Sequence, residues 1–192
     1  MPDLTGRNIT LSTLFRAAWS FCIGQYTGIT DTVFGAVQNG RMGALPGLTS
    51  LIAPTLTLVP LRVFWDDSVP VASFIEDVHQ RILDMIPHEQ QSLPMLPTTD
   101  GSGASAWAFQ SAMVIQPQLQ EPALIEGMQF CRRVHTEHAQ LMLFFEITVL
   151  ADEVDVWIEY DSNLLWEEKI DEIFGSWRQK HGVNAAVSLT SQ

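Results

Sequence analysis

Charged residues are scarce in this chain, at 17% of 192 residues, whereas soluble domains average about 25%. This shortage predicts either a well-filled core or an apolar surface that a second lobe, a partner or another copy covers. Basic residues are scarcer still, with 10 against 22 acidic ones and a formal net charge of −12. The negative charge argues against nucleic acids and anionic membrane surfaces as partners, because both would repel the chain.

Cysteine and long apolar runs are also lacking. Cys22 and Cys131 are the only cysteines, too few for a disulfide framework, which favours a reducing, cytoplasmic compartment. Met1–Thr10 is polar and has no signal-peptide core. The longest apolar stretch, Leu141–Leu150, contains Glu146 and is too short to span a bilayer.

The length suits one domain with a substantial core, which we place at 1–181, followed by a terminal segment over 182–192 that we predict to be flexible. Apolar residues at helical spacing predict three helices. The first has Thr10 or Ser12 as its cap and stops at Gly28, and the second has Ser68 as its cap and Pro70 in its first turn. The predicted helices are Thr10–Tyr26, Ser68–Met85 and Trp166–Lys180.

Alternating and β-branched segments predict six strands. They are Asp31–Val37, Ala53–Trp65, Phe109–Gln116, Gln129–His135, Leu141–Val149 and Glu153–Tyr160, the last two forming a hairpin around Ala151-Asp152. The Pro-, Gly- and Ser-rich stretch Leu93–Ala104 predicts a mobile loop. Helices and strands alternate too irregularly for a doubly wound sheet. We therefore predict an α+β fold (an α/β sandwich) in which helices pack on a mixed, mostly antiparallel sheet.

Three segments in a fixed order carry a family resemblance: VFGAVQNGR (Val33–Arg41), IAPTLTLVPLRV (Ile52–Val63) and DMIPHEQQSL (Asp84–Leu93). They resemble the C-terminal lobe of condensation domains from fungal nonribosomal peptide synthetases. The first helix, FQSAMVIQPQ (Phe109–Gln118) and the hairpin extend the resemblance over nearly the whole chain. It implies about half of a chloramphenicol acetyltransferase-like fold. The family's adjacent histidine pair belongs to the other lobe, and no two histidines are adjacent here.

The resemblance implies a role in secondary-metabolite biosynthesis with small-molecule or carrier-tethered intermediates as ligands. Three hypotheses stay open, of which the third is an inert fragment with no function of its own. The first is a truncated condensation-domain-like protein that promotes cyclisation or condensation of a reactive intermediate held in a pocket. The alternative is a non-catalytic docking or scaffold lobe that completes or binds a synthetase. Either way, we expect a homo-oligomer or a hetero-partner to cover the face of the missing lobe.

His88, followed by Glu89, is the first candidate catalytic residue, because an imidazole beside a carboxylate can act as a general base near neutral pH. The resembling family usually has phenylalanine at this position. The alternative interpretation, which we favour, is a partly exposed histidine that replaces an aromatic packing residue.

The candidate substrate-binding residues are Asn39, Arg41, Thr55 and Thr57. Arg41 can bind a carboxylate or a phosphopantetheine phosphate, since its fork suits both; an ion pair that fixes the Gly40 turn is the alternative. The resemblance places the two threonines on a strand lining the tunnel between the lobes, although threonine also simply favours strands.

No metal site and no cofactor are predicted. His135 and His138 have a spacing that would place them on one helical face, but they lack a further ligand of fitting spacing for zinc. Cys131 and His135 offer a nucleophile and a base, but nothing in the sequence activates the thiol.

Overall fold

The structure is a computed structural model that describes residues 9–42, 46–90, 109–117, 141–150, 153–181 and 185–191. Its helices are α1 (Leu11–Thr27), α2 (Val71–Met85) and α3 (Glu167–His181). Its strands are β1 (Asp31–Gln38), β2 (Thr57–Phe64), β3 (Ser111–Pro117), β4 (Leu143–Val149), β5 (Val154–Tyr160) and β6 (Ala185–Ser191). Short 3-10 turns lie at Leu48–Ser50, between β1 and β2, and at Ile86–His88, directly after α2.

The described strands form one mixed sheet in the order β2-β1-β3-β4-β5-β6. The predicted mixed sheet with packed helices is confirmed, but the expected majority of antiparallel pairs is not found. Only β1–β2 and β4–β5 are antiparallel, while β1–β3, β3–β4 and β5–β6 are parallel. Parallel pairing needs a long crossover, and here α3 supplies one between β5 and β6.

The ends of α1 match the chemistry predicted from the sequence. The Thr10 hydroxyl accepts a hydrogen bond from the Thr13 N–H at 3.2 Å and so caps the first turn. At the other end Gly28 adopts a φ of +72°, and its N–H donates to the carbonyl of Gly24 at 2.8 Å. This left-handed conformation favours glycine and ends the helix.

Strand β2 and helix α2 are shorter than predicted. Thr55 precedes β2, which begins at Thr57. Pro70 stands at the cap position of α2 without a side-chain cap. Ser68, the predicted cap, instead donates its backbone N–H to the Asp66 carboxylate at 2.8 Å, and this local turn takes the place of a longer first turn.

The helices cover one face of the sheet. Pairing places Phe34 of β1 opposite Leu61 of β2, and Phe145 of β4 opposite Ile158 of β5. These four side chains are almost fully buried. They form one core with apolar residues from all three helices, including Trp19, Val78 and Ile170. This core fixes the positions of the strand ends, where the functional candidates lie.

The prediction of a flexible tail over 182–192 is wrong, because Ala185–Ser191 form β6 along the whole of β5. Chain termini are often poorly ordered, but here α3 returns the terminal segment to the edge of the sheet, where pairing with β5 orders it. The β4–β5 hairpin is confirmed. Its turn at Ala151-Asp152, the strand predicted at Gln129–His135 and the loop at Leu93–Ala104 lie outside the described residues.

Candidate functional site

Three of the predicted substrate-binding residues meet just beyond the carboxyl end of β1. The Asn39 side-chain oxygen accepts from the Arg41 N–H at 2.9 Å. The Thr55 hydroxyl donates to the Asn39 carbonyl at 2.7 Å. We call this arrangement the Arg41 clamp; it consists of Asn39, Gly40, Arg41 and Thr55 together with the carbonyls of Leu48, Leu51 and Ala53.

The guanidinium of Arg41 is directed at backbone carbonyls. Its Nη1 donates to Leu48 at 3.0 Å and to Leu51 at 2.8 Å, and its Nη2 donates to Ala53 at 3.4 Å. The sequence alternative of an ion pair is therefore replaced by carbonyl contacts, since no acidic partner of Arg41 is present among the described residues. Arg41 orders the 48–55 segment, and its predicted role in binding substrate stays a prediction.

Gly40 is the tightest point of the clamp. It has a φ of +63°, and a Cβ added there would lie 1.8 Å from the Thr55 carbonyl oxygen. The Gln90 side chain donates to the Gly40 carbonyl at 2.9 Å. The Asn39-Gly40 pair marked a turn in the sequence, but nothing there signalled that Gln90, fifty positions later, holds it.

His88 and Glu89 lie next to the clamp through Gln90, in opposite environments. His88 ends a 3-10 turn and its side chain is exposed. Glu89 is only 2% exposed, and its Oε1 has no hydrogen-bond partner among the described residues. No hydrogen bond joins the two side chains in this part of the structure, so the proposed catalytic pairing stays a prediction. A buried carboxylate oxygen without a partner is unusual and sets Glu89 apart from the exposed acidic residues.

A second polar group, missed from the sequence, lies on the helix side of the same strand end. Arg16 of α1 is buried, and its Nη2 lies 3.5 Å from both the Val37 carbonyl and the Gln38 side-chain oxygen. Burial lowers the pKa of Arg16 to about 10, so the group keeps its charge at neutral pH. Thr57 pairs with Gln38 across the sheet, and its hydroxyl is buried without a partner among the described residues. Arg16 escaped notice because it lies within an apolar helical run.

A cavity of about 480 Å³ lies at the opposite end of the parallel strands. Val33 at its rim is five residues from Gln38, or about 16 Å along an extended strand. None of the predicted site residues lines it. Its lining consists of Trp19, Cys22, Ile23, Tyr26, Thr27, Val33, Phe109, Gln110, Ser111, Met142, Leu143, Leu165 and Ile173.

Trp19 lines this cavity and belongs to an aromatic cluster in the core behind the lining. The rings of Trp19 and Phe145 meet edge to face at 4.1 Å between centroids, and Trp19 stacks on Phe174 at 5.9 Å. The indole N–H of Trp19 donates to the Ser111 hydroxyl at 3.4 Å. All three rings are buried, so close packing fixes the position of Trp19 against the cavity.

The cavity offers binding chemistry and little else. Its described lining contains no acidic, basic or histidine side chain, so no general base is present to activate the Cys22 thiol or the Ser111 hydroxyl. The described residues also contain no cluster suited to a metal ion, and Cys131, His135 and His138 lie outside them. None of the helices described could cross a membrane, because none is both long enough and apolar enough.

The sequence of this chain is similar to that of known proteins. The condensation-domain family model matches residues 5–191. Nonribosomal peptide synthetase atnA of Emericella nidulans is 30% identical over 173 residues, which cover 90% of this chain and 2% of the synthetase. Nonribosomal peptide synthetase dtxS1 of Metarhizium robertsii is 38% identical over 110 residues, or 57% of this chain and 1% of the synthetase. The chain thus spans a very small part of these relatives.

Solved structures show the same fold. The crystal structure of CT matches 90% of this chain with a TM-score of 0.66 at 20% identity, and the match covers 41% of that chain. The starter condensation domain of the rhizomide synthetase RzmA matches 88% with a TM-score of 0.61 at 12% identity, covering 40% of that chain. These matches confirm the predicted partial chloramphenicol acetyltransferase-like fold. With the family model matching nearly its full length, this chain belongs to the condensation-domain family.

Proposed function

We propose that this chain acts as one lobe of a condensation domain and that it contributes to bond formation between carrier-tethered intermediates only when a second lobe completes the site. The second lobe lies either in the same polypeptide or in a partner. The observation that carries the proposal is an apolar segment beside the Arg41 clamp that is exposed to solvent.

This apolar segment consists of Leu51–Leu56 together with Met42. Ile52 is fully exposed, and Leu56 and Met42 are 71% and 65% exposed. Loops of this kind usually have polar residues at their surface, and apolar patches typically mark contact sites. The clamp fixes the backbone of the segment through Arg41 and Thr55. An ordered, exposed apolar loop is therefore ready for a partner at little conformational cost.

The described polar groups favour completion by a second lobe over catalysis by this chain alone. Arg41 and Thr55 are engaged with backbone carbonyls, and His88 is exposed. Proton removal from an attacking amine requires a positioned base. The family resemblance assigns that base to the adjacent histidine pair of the other lobe. The exposed His88 can assist only where a covering lobe encloses it.

The experiment combines this chain with a separately produced amino-terminal lobe that carries the histidine pair. Two carrier proteins are loaded, one with an acyl or peptidyl thioester and one with an aminoacyl thioester, and the product is measured by mass spectrometry. We expect product only when both lobes are present. Efficient product from this chain alone, or no product from the pair despite a stable complex, would overturn the proposal.

Surface variants test where the second lobe binds. The double substitution of Ile52→Asp with Leu56→Asp should weaken complex formation and product formation by about tenfold or more, because it buries charge in an apolar contact. Leu83→Asp is the matched control, since Leu83 is an exposed apolar residue of α2 outside the segment. Equal effects of the two changes would exclude the apolar segment as the contact.

His88→Ala and Glu89→Gln, assayed in the completed pair, test the proposed catalytic role. A group that transfers a proton contributes about a hundred-fold or more, so a loss of that size with unchanged complex affinity would support a catalytic role for His88 in addition to the histidine pair of the other lobe. Retention of full activity by His88→Ala would remove it from the site and favour the packing interpretation.

Unassisted cyclisation or condensation of a free, reactive intermediate is the second candidate function. The cavity of about 480 Å³ favours it, because binding and orientation alone accelerate an already reactive substrate. Incubating this chain alone with such an intermediate distinguishes the two: a changed product ratio supports this second function. An unchanged ratio together with activity of the paired lobes supports the first.

A further inference from the structure

We propose that the cavity at the amino ends of β1, β3 and β4 is a binding site for a neutral small molecule with an aromatic or alkyl body and one polar group. This inference does not rest on the binding of a second lobe, because the cavity lies at the opposite end of β1 from the Arg41 clamp and the exposed apolar segment. It concerns the same cavity as the second candidate function and states which class of molecule that cavity takes.

The shape of the cavity suits a small molecule rather than a docked chain. Its volume of about 480 Å³ falls within the roughly 300–1,000 Å³ typical of small-molecule sites. The elements around it are α1, the first residues of β3 and β4, and the residues on either side of the start of α3. Several lining side chains are buried in the core and still face the cavity, among them Trp19, Leu143 and Leu165. A flat docking surface would instead be lined by exposed side chains.

The lining selects for an apolar, uncharged body. Isoleucine, leucine, valine, methionine and aromatic rings supply most of it, and none of the described lining residues carries a charge. Entry of a charged group would remove its hydration without supplying a partner, which is strongly unfavourable. The net charge of −12 further disfavours anions.

The mouth of the cavity accounts for the single polar group. Tyr26, Thr27 and Gln110 are exposed and line it at the solvent side. Their hydroxyl and amide groups can donate to or accept from one polar atom of the ligand. Deeper inside, the Ser111 hydroxyl receives a long hydrogen bond of 3.4 Å from Trp19, which a ligand polar group can replace or share.

Calorimetric titration with 2-naphthol, which is neutral at neutral pH, tests the site in the full chain. We expect saturable binding of one molecule of 2-naphthol per chain. The affinity for 2-naphthoate should be lower by about tenfold or more. Failure of 2-naphthol to saturate, or equal affinity for the carboxylate, would overturn the proposal.

Matched tryptophan substitutions locate the binding. Val33→Trp places a large ring at the rim of the cavity and should weaken 2-naphthol binding by about tenfold or more. Val69→Trp is the control, because Val69 is similarly exposed, at 42% against 39%, and does not line the cavity. Thr27→Trp provides a second blocking variant on the exposed end of α1 in case Val33→Trp misfolds. Equal affinity in the blocking variants and the control would place the ligand elsewhere.

Alkylation of Cys22 gives an independent position-specific readout. The Cys22 thiol is buried and lines the cavity. Saturating 2-naphthol should slow its reaction with N-ethylmaleimide by about fivefold or more, followed by mass spectrometry of the peptide that contains it. The peptide containing Cys131 serves as the internal reference. Protection of neither thiol, or equal slowing of both, would contradict binding in this cavity.

Discussion

The two ends of β1 are built on different physical principles. Beyond Gln38 the chain turns through Asn39, Gly40 and Arg41, and hydrogen bonds to backbone carbonyls hold the turn. At the other end, near Val33, apolar side chains from α1, from the starts of β3 and β4 and from the region of α3 line a cavity. One end depends on a few directional contacts within a short span of chain, and the other on packing between distant segments.

This difference explains which functional proposals each end supports. Directional contacts fix a backbone and leave the apolar segment at Ile52 exposed on an ordered loop, which is suited to docking. Packing around Trp19 instead leaves an apolar cavity that opens to solvent, which is suited to a small ligand. Conformational order is thus achieved at both ends, by hydrogen bonds at one and by packing at the other.

The strongest test of the packing end is Trp19→Ala. Trp19 is 3% exposed and contacts both Phe145 and Phe174, so its removal should lower the free energy of unfolding by about 3–5 kcal/mol. Denaturant titration measures the change, with Trp166→Ala as the control because Trp166 is 62% exposed. Similar losses in the two variants would show that the aromatic cluster does not stabilise this end.

Glycine substitutions probe the clamp end. Gly47→Ala meets no atom closer than 4.0 Å, so it tests only the left-handed φ of +80° and should cost about 1 kcal/mol. Gly40→Ala adds a collision with the Thr55 carbonyl and should cost about 1–3 kcal/mol more. Thermal or urea unfolding of both variants gives the difference. Equal costs would mean that the clamp yields and that the turn is held less tightly than its contacts indicate.

Thr55 and Thr57 allow a hydrogen-bonded hydroxyl to be compared with a buried one that has no partner among the described residues. Thr55→Val removes the 2.7 Å bond to the Asn39 carbonyl and should cost about 0.5–1 kcal/mol. Thr57→Val removes a buried hydroxyl that has no partner among the described residues, so stability should stay within about 0.5 kcal/mol or rise. Both are measured by urea unfolding. A larger loss for Thr57→Val would show that its hydroxyl binds a group such as an ordered water.

Acid sensitivity should be slight at the cavity end of β1. Hydrogen bonding from Arg62, at 2.8 Å, holds the pKa of Asp31 below its ordinary value of 3.8. A lowered pKa in the folded state stabilises the protein at pH values above 3.8, and this contribution disappears as the pH falls through the lowered pKa. The pair is exposed, so the effect is small.

Asp31→Asn provides the measurement. The difference in urea stability between the wild type and this variant should be present at pH 5 and vanish on acidification, while a difference that persists unchanged would assign the effect to something other than the charge. Arg62→Gln should show the same dependence, because it removes the other member of the pair.

Local sequence chemistry accounts for much of the fold. Thr10 and Gly28 set the ends of α1, and the alternation of apolar residues set the β4–β5 hairpin. These features depend on contacts within a few residues or on a repeating pattern, which a single sequence displays. The ordered motifs of the condensation domain belong to the same class of information. They identified the family and, with it, the architecture.

Tertiary structure decided what those patterns leave open. The parallel pairing of β6 with β5, the engagement of Arg41 with carbonyls and the tie from Gln90 to Gly40 all join positions whose separation carries no local signal. The burial of Glu89 beside an exposed His88 likewise depends on what packs against a turn. The cavity collects residues from Trp19 to Ile173 because the sheet order places the starts of β3 and β4 beneath α1. The sequence by itself determined the family, the three helices and five of the described strands; only the packing of the elements decided the pairing of β6 and which side chains are buried, engaged or open to a ligand.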